Sequence, residues 1–275
     1  MVNIGKFNKL QIIKQVPFGL YLDGGGVEIL LPKRYVPKGS KLHEFLDVFI
    51  FIDSEDRLIA TTDKPYAKVD ECAYLKVLSV NHIGAFVDWG LTKDLLVPHN
   101  EQLRPMEEGK SYVVYIYLDH ETDRIAASSK LANFLNETSV YYKEGQAVDL
   151  LVCAKTDLGY KAVINNTHFG VIYENEIFQD IAIGQKMQGY IKLIREDKKI
   201  DLVLQRPAKE ERDGLMEKIM EDLKQRGGVS DLTDKSPPDA IYRQFSVSKK
   251  NYKKALGRLY KQRLIKIEKK QIVLL

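Results

Sequence analysis

Tryptophan occurs once in these 275 residues, cysteine twice and histidine five times. No stretch of the chain approaches the roughly 18 consecutive apolar residues that a membrane-spanning helix needs. The N-terminus, MVNIGKFNKLQIIKQ, has neither the apolar centre nor the small-residue cleavage site of a signal peptide, so a cytoplasmic protein is expected. Cys72 and Cys153 are far apart and have no paired neighbours. That spacing suits a reducing compartment and two buried small hydrophobes better than a disulfide framework. The histidines, at 43, 82, 99, 120 and 168, are scattered, and none forms a metal-ligand pair with glutamate. No glycine-rich strand-to-helix phosphate loop is present. The run DGGG at 23–26 lacks a following helix and lysine and is read as a hairpin turn. Asp53, Asp119 and Asp197 fall in equivalent acidic turns, where aspartate hydrogen-bonds its own backbone, so they are read as three turns rather than one carboxylate cluster. The expectation is a protein that is not an enzyme and carries no cofactor and no metal.

What the chain does have is asymmetric charge. The formal net charge is +4, yet from residue 207 onward 17 basic residues face 10 acidic ones, leaving the first 206 residues net negative. Between Lys249 and Lys270 there are ten basic residues and a single acidic one, Glu268. Such a block is the electrostatic footprint of nucleic-acid contact, or else a solvated helix face.

It also has an internal repeat. Three segments share one order of signals: a strand into a Gly-centred turn, a second strand, a third punctuated by Pro or Asn, a Gly turn, a long strand, and an acidic turn into a short final strand. The first contains VPFGLYLDGGG, EILLPKRYVPKG, VFIFIDSED and RLIATT; the second, NHIGAFVDWG, DLLVPHNEQLRPMEEG, VYIYLDHETD and RIAASSK. The third is looser, with KTDLGYKAVINN, FGVIYENEIFQDIAIG, YIKLIREDKK and IDLVLQ. Gly19, Gly84 and Gly159 mark the repeat at intervals of 65 and 75 residues, about the length of a five-stranded barrel. Period-two alternation puts Val48, Ile50 and Ile52, like Val114, Ile116 and Leu118, on one strand face. Phe49 and Phe51, like Tyr115 and Tyr117, fall on the other, where they are expected to pack against a neighbouring module or cover a barrel end. The fold class expected is mainly β: three tandem five-stranded OB-fold barrels, followed by an α+β module.

The glycine, the aromatic after it, the apolar-Pro turn and the acidic turn into RIAASSK resemble the ribosomal S-one RNA-binding domain. The second repeat is the clearest match. In that family, an aromatic just before the glycine, another two residues after it and a histidine on the third strand form a stacking platform for RNA. Onto this chain the resemblance carries Phe18 and Tyr21 in the first repeat and Phe86 in the second, where Ile83 replaces the leading aromatic. Pro32 and Pro98 stand at the histidine position. The third repeat supplies Leu158, Lys161 and Tyr173. His99 follows Pro98, and strand alternation turns it to the opposite face, so it is not a substitute. Trp89 lies at a strand end and is either a further stacking ring or a cap on the barrel. Lys33, Arg34, Lys93, Arg124 and Lys130 are candidate phosphate contacts, since cations beside stacked bases follow the backbone.

The last 65 or so residues read as a different module. Leu215, Ile219 and Leu223 form a helical stripe ended by Gly227 and Gly228; SPPDAIYRQF gives a short helix with prolines in its first turn. A longer basic helix follows, with Ser248 as N-cap and Tyr252, Leu256 and Leu259 on its apolar side. LIKIEKKQIVLL closes as a two-stranded hairpin. This order is that of a winged helix, whose second paired helix usually enters a major groove. Its stripe of Lys249, Lys250, Lys253, Lys254, Arg258 and Lys261 points to non-specific phosphate contact, with few residues placed to read bases.

The expected modules are 1–65, 66–135, 140–207 and 209–275, with a hinge at 205–214. Together they resemble the bacterial conserved virulence factor B family, through module order and the ILLPKR and LLVPHN segments. The resemblance implies an RNA-binding regulator of transcript stability or translation. The expected partner is single-stranded RNA, held along the barrels by stacking and phosphate contacts, with the winged helix adding affinity. The alternatives are an adaptor for ribosomal or RNA-decay proteins with degenerate barrels, and a DNA-binding transcriptional regulator. No membrane partner is expected, and a monomer is favoured over an obligate oligomer.

Overall fold

The computed structural model describes residues 2–275 except 54, 56, 120, 178, 206–209 and 269, and gives the backbone alone for 210–214. The chain divides into two units, residues 1–136 with 183–185, and 137–182 with 186–275. His120, part of the expected hinge and the 207/209 module boundary lie outside the described residues.

The first unit holds two barrels. Strands β1 (Phe7–Val16), β2 (Gly19–Asp23), β3 (Glu28–Pro32), β4 (Phe45–Ile52) and β5 (Leu58–Thr61) close in the order β1-β2-β3-β5-β4. Strands β6 (Cys72–Val80), β7 (Gly84–Val87), β8 (Leu95–Pro98), β9 (Ser111–Leu118) and β10 (Ile125–Ser128) repeat that order. Here β8 and β10 lie side by side without a ladder, so the second barrel is nearly closed. In the second unit β11 (Ala147–Thr156), β12 (Gly159–Ile164), β13 (His168–Tyr173), β14 (Lys186–Ile194) and β15 (Ile200–Val203) form a third, closed barrel.

Two recurrent devices make the barrels. Each long first strand pairs with both its second and fourth strand, and its register shifts midway, between Ile12 and Lys14, Val77 and Ser79, and Val152 and Ala154. Such bulges sharpen the twist that lets one strand bridge two sides of a barrel. The landmark glycines face the end of the third strand, Gly19 opposite Pro32, Gly84 opposite Pro98 and Gly159 opposite Tyr173. A Cβ at any of them would collide with the carbonyl oxygen of Leu31, Val97 or Ile172. The repeat is therefore periodic in glycine for a steric reason.

The acidic turns are local as expected. Asp53 accepts backbone N–H groups of Glu55 and Arg57, Asp119 that of Glu121 and Asp197 that of Lys199. Asp23 likewise accepts from Gly25 in the turn between β2 and β3.

Within the first unit the two barrels share a core. Val48 and Ile50 fill the first barrel, while Phe49 and Phe51 turn outward and join the cluster of the second barrel with Trp89, Leu91 and Val97. This is the packing against a neighbouring module that alternation suggested for one aromatic pair. Tyr115 and Tyr117 instead pack under Phe134, with ring centroids 4.6 and 5.2 Å apart.

The second unit continues into α1 (Glu210–Gln225), β16 (Val229–Ser230), α2 (Pro238–Phe245), α3 (Lys249–Lys261), β17 (Ile265–Ile267) and β18 (Ile272–Leu274). Leu215, Ile219, Leu223, Tyr252, Leu256 and Leu259 meet in one core, and the Ser248 side chain accepts from Asn251 N–H as the N-cap. The expected two-stranded hairpin is in fact part of a three-stranded sheet, because β16 pairs with β18. A strand of two residues carries no periodicity to read.

Candidate nucleic-acid interface

The first barrel presents the fullest set of expected groups. Phe18 is 56% exposed. Its ring meets half-buried Tyr21 edge to face at 6.3 Å, and the Lys14 ammonium lies 5.5 Å from the Tyr21 centroid. After β3 the chain makes a single 3-10 turn that leaves Lys33 and Arg34 exposed, and Lys33 N–H donates to the Phe18 carbonyl at 2.8 Å. Two rings and two cations are thereby tied to one edge. Arg34 also lies 4.6 Å over Tyr35.

Beside Tyr21 runs an open groove lined by Leu30, Leu58, Ile59 and Arg57. It lies over the second and third strands and the loop between the fourth and fifth, the usual ligand face of an OB-fold. Arg57 clasps Asp53 Oδ2 through two nitrogens at 2.9 and 3.0 Å and reaches Glu55. Burial opposes ionisation of Asp53, but hydrogen bonds from Arg57 and Glu55 outweigh it and hold its carboxyl below the usual value. Lys14 and Arg57 were not among the expected residues. Lys14 occupies the bulge of β1 opposite Tyr21, a register that the sequence does not reveal.

The same hydrogen bond recurs in each barrel with a different charge. His99 N–H donates to Ile83 O at 3.3 Å, and Glu174 N–H to Leu158 O at 3.0 Å. Along the chain this edge thus changes from Phe18 and Lys33, through Ile83 and His99, to Leu158 and Glu174. The expectation that His99 faces away is corrected here. The chain leaves the strand at Pro98 into a 3-10 turn, so alternation no longer applies, and the exposed ring is held to the Asn81 carbonyl beside Ile83. Phe86 is half-buried on the outer side of β7, paired with Leu96 and Ser79. Arg124, just before β10, is exposed, whereas Lys130 is half-buried.

One expected contact, Trp89, is corrected, and two expected cations are found with partners. Trp89 is 3% exposed, edge-on to Phe49 at 5.7 Å, with its indole N–H donating to Lys93 O. A ring so enclosed cannot stack on a base. Lys93 belongs to the same seam, its ammonium donating to Ile52 O at 3.3 Å. Lys161 stands where the first two barrels have Tyr21 and Phe86, but its ammonium is 2.6 Å from Glu137 and 3.7 Å from the Phe169 centroid, so its charge is already partnered. Tyr173 is half-buried and donates its hydroxyl to Asp201, whose carboxyl burial pushes up against the opposing pull of Arg195 and Lys192.

On α3 the expected stripe divides. Lys249 donates to the Lys235 carbonyl at 3.3 Å and Lys253 lies 3.8 Å from Asp234. Lys250, Lys254, Arg258 and Lys261 stay exposed along one side. At about 1.5 Å rise per residue that row is about 16 Å long.

The two cysteines differ from expectation in degree. Cys72 is buried; Cys153 is partly covered, donates to Lys161 O at 3.3 Å, and burial raises its thiol to about 11. Among the described residues no group of three or more His, Cys, Asp or Glu could hold a metal ion, and no helix is long and apolar enough to cross a membrane.

Barrels of this topology, followed by a winged helix, define a modular protein built from nucleic-acid-binding domains. The S1 domain family matches residues 4–63 and 71–129, and the CvfB-like winged helix domain matches residues 217–274. The chain therefore carries S1 domains and a CvfB-like winged helix domain, and it is a homologue of the proteins named conserved virulence factor B and YitL. The uncharacterized protein YitL of Bacillus subtilis is 29% identical over 266 residues, covering 92% of this chain and 87% of that one. Conserved virulence factor B of Staphylococcus aureus is 27% identical over 236 residues, 82% of this chain and 78% of its own. A crystal structure of a multidomain protein with nucleic acid binding domains from Streptococcus pneumoniae TIGR4 aligns over 99% of this chain and 98% of that one, at 23% identity and a TM-score of 0.42.

Proposed function

We propose that this protein binds single-stranded RNA and controls gene expression after transcription, acting in the cytoplasm as a monomer. The observation that carries the reading is the pair formed by exposed Phe18 and half-buried Tyr21, with Lys14, Lys33 and Arg34 around it. A base offers its π-face whatever its identity, and each stacked ring contributes roughly 1–3 kcal/mol. Two rings give roughly 2–6 kcal/mol before ordering costs, and a millimolar complex already needs about 4 kcal/mol. One barrel alone binds weakly, so the second barrel, through Phe86, Arg124 and Lys130, and the exposed row on α3 add affinity by effective concentration. The four modules, 1–65, 66–135, 140–207 and 209–275, divide this work. The staphylococcal relatives are named virulence factors, which accords with a regulatory role.

A second reading applies to the third barrel. Leu158, Glu174 and the partnered Lys161 replace rings and free cations there, a surface suited to contact with ribosomal or RNA-decay proteins. Fluorescence anisotropy with labelled single-stranded RNA, single-stranded DNA and duplexes of both tests the main reading. Single-stranded RNA should bind most tightly. Preference for duplex DNA would support a transcriptional regulator instead, and no binding to any of the four would leave the adaptor reading.

A further inference from the structure

The seam between the first two barrels is tightly made, and it runs into both proposed binding edges. On one side β7, which carries Phe86, continues directly to Trp89, whose backbone carbonyl accepts from Tyr66 N–H at 2.8 Å and whose ring meets Phe49. On the other side the turn that carries Lys33 and Arg34 ends at Tyr35, and the Tyr35 hydroxyl lies 2.8 Å from Thr92 Oγ1 in the loop after Trp89. The Lys93 ammonium returns to Ile52 O, and the buried Phe49, Phe51 and Trp89 exclude water from the centre.

We infer that the first two barrels meet RNA as one rigid body, with Phe49 and Trp89 as positioning residues that fix the spacing between the Tyr21 and Phe86 faces. The inference rests on the RNA reading above and adds to it a class of ligand: a single strand long enough to reach both faces. Neither residue touches the RNA. A fixed spacing holds the second face near the strand once the first is bound, whereas loosely tethered barrels dilute that effective concentration.

The test uses the full chain and fluorescein-labelled oligouridylates of about 6 and about 24 nucleotides, a length range that spans one barrel and several. Phe49→Ala opens the seam and leaves Trp89 as the sole tryptophan to report it. Trp89 emission should shift to the red and become quenchable by acrylamide. The long probe should lose about tenfold in affinity, while the short probe stays within about twofold. Trp89→Phe in the otherwise wild-type chain, which keeps an aromatic ring against Phe49, should retain most of the length preference. If Phe49→Ala does not fold, Tyr35→Phe removes only the hydrogen bond to Thr92 and should lower long-probe affinity alone, by a few-fold. Equal weakening of both probes would show that Phe49 acts through the barrel fold, and an unchanged ratio with an opened seam would show that spacing is immaterial. Either result overturns the inference while the RNA reading stands. A wild-type protein that binds neither probe overturns both.

Discussion

Individual side chains divide into those that build the barrels and those offered to a ligand, and burial is what separates them. Trp89 belongs to the first kind. Replacing a fully enclosed large aromatic by alanine leaves a cavity, so Trp89→Ala should cost about 3–5 kcal/mol in chemical denaturation. Phe18→Ala, at a ring that is more than half exposed, should cost little by the same measurement. The landmark glycines are structural for a different reason. Gly84→Ala forces a methyl group into the Val97 carbonyl, and an overpacking cost of about 1–3 kcal/mol is expected in the same assay.

At the scale of elements, β9 makes a prediction about pH. Burial, then the charges of Asp70 on Tyr115 and of Glu101 on Tyr117, raise both phenols to about 12 from an ordinary 10. The unfolded chain therefore loses these protons first. Their contribution to stability should be constant below pH 10 and be lost as pH rises from 10 towards 12, with Tyr115→Phe and Tyr117→Phe each removing part of the slope in denaturation followed by circular dichroism. The α3 helix makes another. Lys254→Gln and Arg258→Gln should each lower the salt slope of single-stranded RNA binding by about 0.7, and Lys253→Gln by less, because Asp234 already neutralises it in part.

These elements also show what the sequence could reveal. Alternation in β4 correctly turned Phe49 away from its own barrel, since a strand's period is local. It could not name Trp89 as the partner, 40 residues on. Lys161 was placed by its position in the repeat, and its partner Glu137, 24 residues before it, could not be read from the sequence. His99 was misread where a strand became a 3-10 turn, and Lys14 was missed because a bulge sets its register. The winged-helix core and the Ser248 cap were legible because both depend on neighbours within a few residues.

For the whole molecule, the proposed function requires that stacking on the first two barrels and phosphate contacts along the chain contribute separately to RNA affinity. The most direct measurement is anisotropy of a labelled single-stranded RNA, over a salt series, with wild type and the Phe18→Ala/Tyr21→Ala/Phe86→Ala variant. Lost stacking should weaken binding by roughly 1–3 kcal/mol per ring engaged, with the dependence of log K on log salt unchanged, because the cations remain. Wild-type affinity in the triple variant would contradict the account, and would make the three rings structural rather than contacts for RNA.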